Sequence, residues 1–206
     1  MISVAQILAE YLTTSDSSSI TGSLDAAVNA TTLTWTLGSS EGAAFPSGVT
    51  VLLCGSELVH GTISGDTISV LAGGRGALGT DAAAHAESAT VQVATLYDAV
   101  GARVRPQPPR DNDAPSVWIQ SEDEQPVGDS PAITTPVLAR CFGGSADPRD
   151  AQAVYRLLYD RLHQTFGTST TSGHIGAATQ IGGGDLLKDP DVEWWFVAGH
   201  YSVTVG

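Results

Sequence analysis

The chain has 206 residues, with 9 Lys and Arg against 22 Asp and Glu, so its formal net charge is −13. Because phosphate binding needs clustered cations, this balance argues against a general nucleic-acid binder and against docking on anionic lipid. The apolar content of 42% argues against a disordered acidic tail, and two cysteines, Cys54 and Cys141, are too few for a disulfide scaffold or an all-cysteine zinc site.

The first segment, residues 1–19, predicts a short helix followed by a loop. Its apolar side chains form one helical stripe: Val4, Ile7, Leu8, Tyr11 and Leu12. The segment has no basic n-region and contains Glu10, so we expect no signal peptide, and no apolar run in the chain approaches the roughly 18 residues of a membrane span. Together with the low cysteine count, this predicts a reducing cytoplasm as the compartment.

Residues 20–94 are typical of a small β module, a sandwich or a barrel. Leu33, Trp35 and Leu37 alternate with threonines, which is the period of a strand with one buried face. Several short apolar runs follow at close spacing. The Gly65-Asp66 step between two of them is a two-residue hairpin signal.

Residues 95–206 predict an α+β domain, in which one long helix packs on an antiparallel sheet. Asp147 is a good N-cap, Pro148 suits the first helical position, and Asp150 favours the helix dipole. Apolar residues then recur every three or four positions until Gly167 stops the helix: Ala151, Val154, Tyr155, Leu158, Leu162 and Phe166.

The loop from Gly74 to Gly79 matches G-x-G-x-x-G, a pattern that cradles the pyrophosphate in dinucleotide-binding proteins. Such a site also needs a helix that opens at the loop and a crossover to a parallel strand, whereas only the alanine-rich TDAAAHAESA follows here. We therefore interpret the glycines as a turn that uses positive φ, and we expect no cofactor. A nucleotide-dependent enzyme that uses this loop stays open as an alternative.

Other patterns in the sequence predict neither catalysis nor a metal site. The histidines lack H-x-x-x-H spacing and have no cysteine at metal-binding spacing, and G-x-S-x-G does not occur. The run Glu122, Asp123 and Glu124 is interpreted as a solvated loop rather than a catalytic carboxylate pair. The chain is therefore predicted not to be an enzyme, and its composition is typical of a structural assembly subunit.

The stretch CGSELVHGTISGDTISVLAGGRGALGTDAAAHAESATV resembles a small β module found repeatedly in phage virion proteins. The residues that match its pattern are Gly55, Glu57, Arg75, Gly76, Gly79, Thr80, Ala84, His85 and Val91. Ser88 stands where that pattern usually has glycine. We expect Arg75 to bridge Glu57 across the hairpin, the glycines to form the turn, and His85 to cap the return loop.

Residues 95–206 resemble the tail terminator (tail completion) proteins of long-tailed phages. The resemblance lies in three segments: VRPQPPRDNDAPSVWIQ, TTPVLARCFGGSADPRDAQAVYRLLYDRLH and DPDVEWWFVAGHYSVTV. It implies a structural virion protein without catalytic residues, whose ring, usually a hexamer, caps the tail tube and joins it to the head–neck connector. The protein would be assembled in the host cytoplasm and lie at the head-proximal end of the tail.

The implied partners are further copies of the chain, the tail tube protein and the head–tail connector or neck protein. DNA passes through the ring without specific binding, and an acidic lining keeps the duplex moving. We therefore expect the loop of residues 121–131, with Glu122, Asp123, Glu124 and Asp129, to lie near the channel or the tube contact. The β module is expected on the outside of the ring.

Three points stay open at the level of sequence. The first helix is expected to pack on the carboxy-terminal domain, but TLYDAVGARV could be the helix of that domain instead, which would make the module simply amino-terminal. A baseplate or fibre-associated protein is an alternative, because the β module also occurs there. A carbohydrate-binding module is another, with Trp35, Trp118 or Trp194 as its platform.

Overall fold

The computed structural model describes residues 3–16, 18–108, 114–121, 125–126, 132–144, 147–163 and 165–206. The chain divides into two compact units. Unit 1 consists of Met1–Asp16 and Val100–Gly206, and unit 2 is the intervening Ser17–Ala99. The α-helices in the described ranges are α1 (Val4–Thr13), α2 (Leu96–Val100) and α3 (Pro148–Leu162). None of them is both long and apolar enough to cross a membrane.

The protein is mostly β, so the predicted α+β fold class with one long packed helix is wrong. Strands account for 45% of the structure and helices for 20%, and the strands form two curled sheets. The helix that was expected to continue through Phe166 has 15 residues and ends at Leu162, where His163 caps it. Phe166 pairs with Ala177 in the sheet instead, and its side chain is 66% exposed.

Unit 2 is a six-stranded antiparallel sheet in the order β1-β6-β3-β4-β5-β2. Its strands are β1 (Thr21–Ser23), β2 (Thr34–Thr36), β3 (Gly48–Cys54), β4 (Glu57–Ser64), β5 (Thr67–Val70) and β6 (Thr90–Val93). The two outer strands meet just beyond their ends, because Leu24 pairs with Leu37 and the Asp25 amide donates to the Thr36 carbonyl at 2.8 Å. The curled sheet therefore closes on itself as a small barrel.

The core of unit 2 is built around Trp35, which is fully buried among the side chains of the other strands. The hairpin predicted at Gly65-Asp66 is confirmed, since Ser64 pairs with Thr67. The expectation that Leu33 shares the buried face is wrong: β2 begins at Thr34, and Leu33 is 46% exposed.

Unit 1 holds a second sheet in the order β11-β12-β13-β10-β8-β7, with β9 paired to β10. Its strands are β7 (Val104–Arg105), β8 (Ser116–Ser121), β9 (Gln125–Pro126), β10 (Ile133–Gly144), β11 (Thr165–Ser169), β12 (His174–Lys188) and β13 (Trp195–Val205). The described strand pairs are antiparallel except for β7 with β8. Three of these strands, β10, β12 and β13, are long and form most of the sheet.

Helices α1 and α3 pack against this sheet, and the Tyr11 hydroxyl of α1 donates to the Arg161 carbonyl of α3 at 3.2 Å. Asp147 is the N-cap of α3, as predicted, and accepts a hydrogen bond from the Arg149 amide. Alternate residues of the central strands are buried: Val117, Ile119, Val137, Ala139, Cys141, Val197, Tyr201 and Val203. The intervening residues form a second, less covered surface, which we call the open face: Trp118, Gln120, Leu138, Arg140, Phe196 and Ala198.

Candidate functional site

The residues of the β-module motif converge in unit 2. Glu57 is the first residue of β4, directly after the tight turn from β3. Arg75 and Gly76 lie in the loop that follows β5. His85 forms an isolated bridge with Val28, through two backbone hydrogen bonds of 2.9 Å. Strand pairing therefore fixes both Glu57 and His85, and the loop brings Arg75 between them.

The Glu57 carboxylate lies at the centre of this cluster and accepts five hydrogen bonds. Arg75 donates from Nε at 2.6 Å and from Nη2 at 2.9 Å. The backbone amides of Gly76 and Ala83 donate at 3.0 and 3.1 Å, and His85 Nε2 lies 2.7 Å from Oε2. Because a carboxylate offers about four lone-pair sites, its acceptor capacity is fully used.

Arg75 also fastens two loops of the barrel to Glu57. Its Nη1 donates to the carbonyls of Asn29 and Thr32 at 2.8 and 3.0 Å, and its Nη2 donates to the Ala83 carbonyl. The guanidinium carbon lies 4.9 Å from the centre of the Trp35 ring. A single buried cation thus links the core tryptophan, the turn before β2 and the return loop.

The glycines and the threonine of the motif form the turn itself. Gly76 has φ +63°, and a Cβ atom there would lie 2.7 Å from the Thr80 carbonyl oxygen, so only glycine fits. Gly79 ends a short 3₁₀ turn. The Thr80 hydroxyl donates to the Ala77 carbonyl at 2.8 Å and accepts from the Leu58 amide at 3.0 Å, which ties the turn to β4.

The electrostatics of the cluster keep Glu57 ionised. Burial raises the pKa of the Glu57 carboxyl, but the hydrogen bonds from Arg75, the Ala83 amide, His85 and the Gly76 amide outweigh burial and lower the pKa to about 2. Burial raises the pKa of the nearby Cys54 thiol to about 11. A carboxylate this acidic is a poor general base and a thiol this basic is a poor nucleophile, so the cluster is suited to holding the barrel together.

The G-x-G-x-x-G loop does not have the surroundings of a nucleotide site. A 3₁₀ turn at Ala77–Gly79 follows Gly76, where a dinucleotide site has the first turn of an α-helix. The strand pairs described in unit 2 are all antiparallel, so the required parallel crossover is missing from this part of the chain. Among the described residues, no group of three or more His, Cys, Asp or Glu side chains could hold a metal ion.

The tryptophans do not form a flat exposed platform. Trp35 is fully buried, which contradicts its proposed use as a carbohydrate platform. Trp118 is covered by the Arg140 guanidinium, whose carbon lies 4.4 Å from the ring centre. Trp194 packs edge-on against Phe142 at a centroid distance of 6.2 Å. These contacts make the aromatic rings part of the packing of their own units.

The acidic residues proposed for the channel, Glu122, Asp123, Glu124 and Asp129, lie outside the described residues. Their place near a lumen or a tube contact therefore stays a prediction from sequence.

Sequence reasoning missed a feature of unit 1, the exposed outer half of β12. Strand β11 pairs with β12 only as far as Ala178, so residues 179–188, which we call the arm, pair with β13 alone among the described strands. Ile181 and Leu187 in the arm are 63% and 48% exposed. The available signal was the run IGGGDLL, in which large apolar residues flank three glycines.

Neither a family model nor a curated protein sequence matches this chain. Its function is therefore argued from the chemistry of its residues and the geometry of its two units.

Proposed function

We propose that the chain is a structural virion protein of a long-tailed phage, the tail terminator, whose ring caps the tail tube and joins it to the head–neck connector. The observation that carries the proposal is which segments of the chain fold together as unit 1. Helix α1 and the described parts of the three segments that resemble terminators fold together around one sheet. Unit 2 is inserted between α1 and the rest.

A second observation supports an assembly role for unit 1. A ring needs an interface in which one surface of a subunit meets a different surface of the next. The arm offers a strand edge that is unpaired among the described strands and carries two exposed apolar side chains, and edges of this kind readily bind another chain. The open face offers a different surface of the same sheet.

The chemistry of unit 2 also fits a structural rather than a catalytic role. Its most polar buried group, Glu57, is saturated with hydrogen bonds, and its cysteine is buried and unreactive. A compact barrel with such an internal anchor serves as a decoration or a contact on the outside of a ring.

The proposal is tested with a nonsense allele of the gene in the phage that encodes the chain. We expect negative-stain images to show filled heads and tails that are not joined, and a plasmid copy of the wild-type gene to restore complete particles. Complete particles without the chain would contradict the proposal. Complete particles that fail to adsorb would support the baseplate or fibre alternative.

A further inference from the structure

The arm carries exposed apolar side chains and the exposed carboxylate of Asp185, while its other charged residue, Lys188, lies over the Trp195 ring. Ile181 is 63% exposed and Leu187 is 48% exposed. Asp185 lies between them and is exposed, and within the described ranges its carboxylate has no ion pair. Burying such side chains against another surface is favourable by roughly 25 cal/mol for each Å² of apolar area removed from water.

The arm does not lie flat like an ordinary sheet edge. The pairing of β12 with β13 shifts register between Gln180 and Gly182 and again between Gly183 and Asp185. Gly183 and Gly184 have φ values of +102° and +111°, which other residues rarely adopt. These bulges interrupt the regular ladder, so the arm is better suited to packing through its side chains than to continuing a sheet.

The open face carries a cation, Arg140, that has no carboxylate partner in the ranges that the structure describes. Arg140 is partly exposed, its guanidinium lies over the Trp118 ring, and in the described part of the chain it forms no ion pair. Within the same described residues, the buried Trp118 Nε1 has no hydrogen-bond acceptor. Leu138 and Ala198, the neighbours of Arg140 along and across the sheet, are partly exposed as well. Among the described residues, this surface therefore combines apolar side chains with the positive charge of Arg140.

Asp185 and Arg140 of one copy do not form an ion pair in the described structure, where the Arg140 guanidinium lies over Trp118 of β8, on the side of β10 away from β12. Asp185 pairs with Ala198 on β13, and Ala198 pairs with Arg140 on β10. Their backbones are thus two strand spacings, or about 10 Å, apart in the same sheet. The two charges are opposite in sign, and each lies beside apolar surface.

We propose that the arm of one copy packs on the open face of a second copy, with Asp185 of the one paired to Arg140 of the other. The occupant is a second copy because the chain supplies both complementary halves, apolar surface with a carboxylate and apolar surface with a guanidinium. The inference rests on the proposed function, because a ring needs such a contact between two different surfaces of one subunit.

The test measures the mass of the purified full-length chain in solution by light scattering at about 100 µM, where contacts with Kd below this value are populated. We expect the wild type to associate, and Arg140→Glu and Asp185→Lys each to be monomeric, because like charges then meet at the contact. Matched controls are Arg156→Glu on α3 and Asp191→Lys beyond the arm, which should associate like the wild type.

An equimolar mixture of the two monomeric variants is expected to associate again. The arm of the Arg140→Glu variant is unchanged and meets the unchanged open face of the Asp185→Lys variant. The two substituted surfaces also carry opposite charges, so they attract each other with the polarity reversed.

Melting temperatures show that each variant is folded. If Arg140→Glu has a lower melting temperature than the wild type, Arg140→Gln is used in its place. This variant keeps an aliphatic side chain on the Trp118 ring, and we expect it to be monomeric as well. Single variants that associate like the wild type, or folded single variants whose mixture stays monomeric, would overturn the inference. A monomeric wild type would also overturn it, and would leave the proposed function standing if the nonsense allele still gives unjoined heads and tails.

Discussion

Arg75 Nε lies 2.6 Å from Oε1 of Glu57, and the two side chains are 7% and 0% exposed. A fully buried carboxylate is costly unless it is paired and hydrogen-bonded, and here every donor comes from a loop that must be in its native position. The pair therefore links correct loop placement to the stability of unit 2. This explains why the motif spreads over the start of β4 at Glu57, the loop after β5 at Arg75 and the return segment at His85.

Replacing Glu57 with glutamine should destabilise unit 2 by about 3–5 kcal/mol, because the substitution leaves the Arg75 cation buried without its counter-charge. Urea unfolding of the full chain, followed by tryptophan fluorescence with Trp118, Trp194 and Trp195 replaced by phenylalanine so that Trp35 alone reports, measures the change. Glu87→Gln, at an exposed glutamate of the same unit, is the matched control and should leave the midpoint unchanged. Equal urea midpoints for Glu57→Gln and Glu87→Gln would show that the Glu57–Arg75 pair does not stabilise unit 2.

The contribution of Glu57 to stability should depend on pH in a defined window. Its carboxyl has a folded-state pKa of about 2 against 4.5 in the unfolded chain, so the unfolded state binds the proton more readily. The contribution is therefore complete above pH 4.5 and is lost as pH falls from 4.5 to about 2. The difference in unfolding free energy between wild type and Glu57→Gln should be constant above this window and shrink within it. A difference that persists unchanged to the lower limit would disprove the assigned pKa.

Ser88→Gly should stabilise unit 2. Ser88 stands where the related module pattern has glycine, and its φ is +64°, a conformation that costs a residue with a Cβ roughly 1–2 kcal/mol. Because glycine also makes the unfolded chain more flexible, we expect a net gain of about 0.5–1 kcal/mol. Ser88→Ala retains the Cβ and should give no gain in thermal or urea unfolding. A loss of stability with glycine would contradict this reading of the turn.

Removing residues 20–92 and joining the ends with a flexible linker of about ten residues should leave unit 1 folded. The deletion keeps α2 whole, and unit 1 retains its own buried side chains from α1, α3 and the sheet. Circular dichroism and a cooperative thermal transition measure the outcome. An insoluble or non-cooperative product would mean that the two units depend on one core.

Reversing Glu122, Asp123 and Glu124 to lysine should impair tail joining or DNA ejection, because the duplex would bind to a lining that is expected to repel it. The matched control reverses three exposed acids of unit 2, Asp25, Asp81 and Glu87, and changes the net charge equally. Potassium-efflux or DNA-release assays on complemented particles give the readout. Normal joining and ejection in the variant that reverses Glu122, Asp123 and Glu124 would show that the acidic loop is needed for neither step.

Local patterns in the sequence predicted the elements whose signals lie within a few residues. The Asp147 cap with Pro148, the Gly65-Asp66 hairpin and the α1 stripe are examples, because capping, positive φ and helical spacing are local properties. The resemblance to the phage β module likewise pointed to Glu57, Arg75 and His85, which the structure brings together.

Features that depend on distant pairing could not be derived in this way. Phe166 continued the helical spacing, but pairing with Ala177 places it in β11. The sequence predicted two separate strands at residues 174–183 and 185–190, whereas the glycines at 182–184 form bulges within a single long strand. Neither the closure of the barrel at Leu24 and Leu37 nor the stacking of Arg140 on Trp118 has a local signature, because each depends on how whole strands are arranged in the sheet.

We propose that the chain acts as a joining ring at the head-proximal end of a phage tail. Cryo-electron microscopy of the complete particle, with both units fitted into the density, tests it most directly. We expect a closed ring of copies between the last tube ring and the neck. Density for the chain at the adsorption end of the tail, or its absence from the particle, would contradict the account.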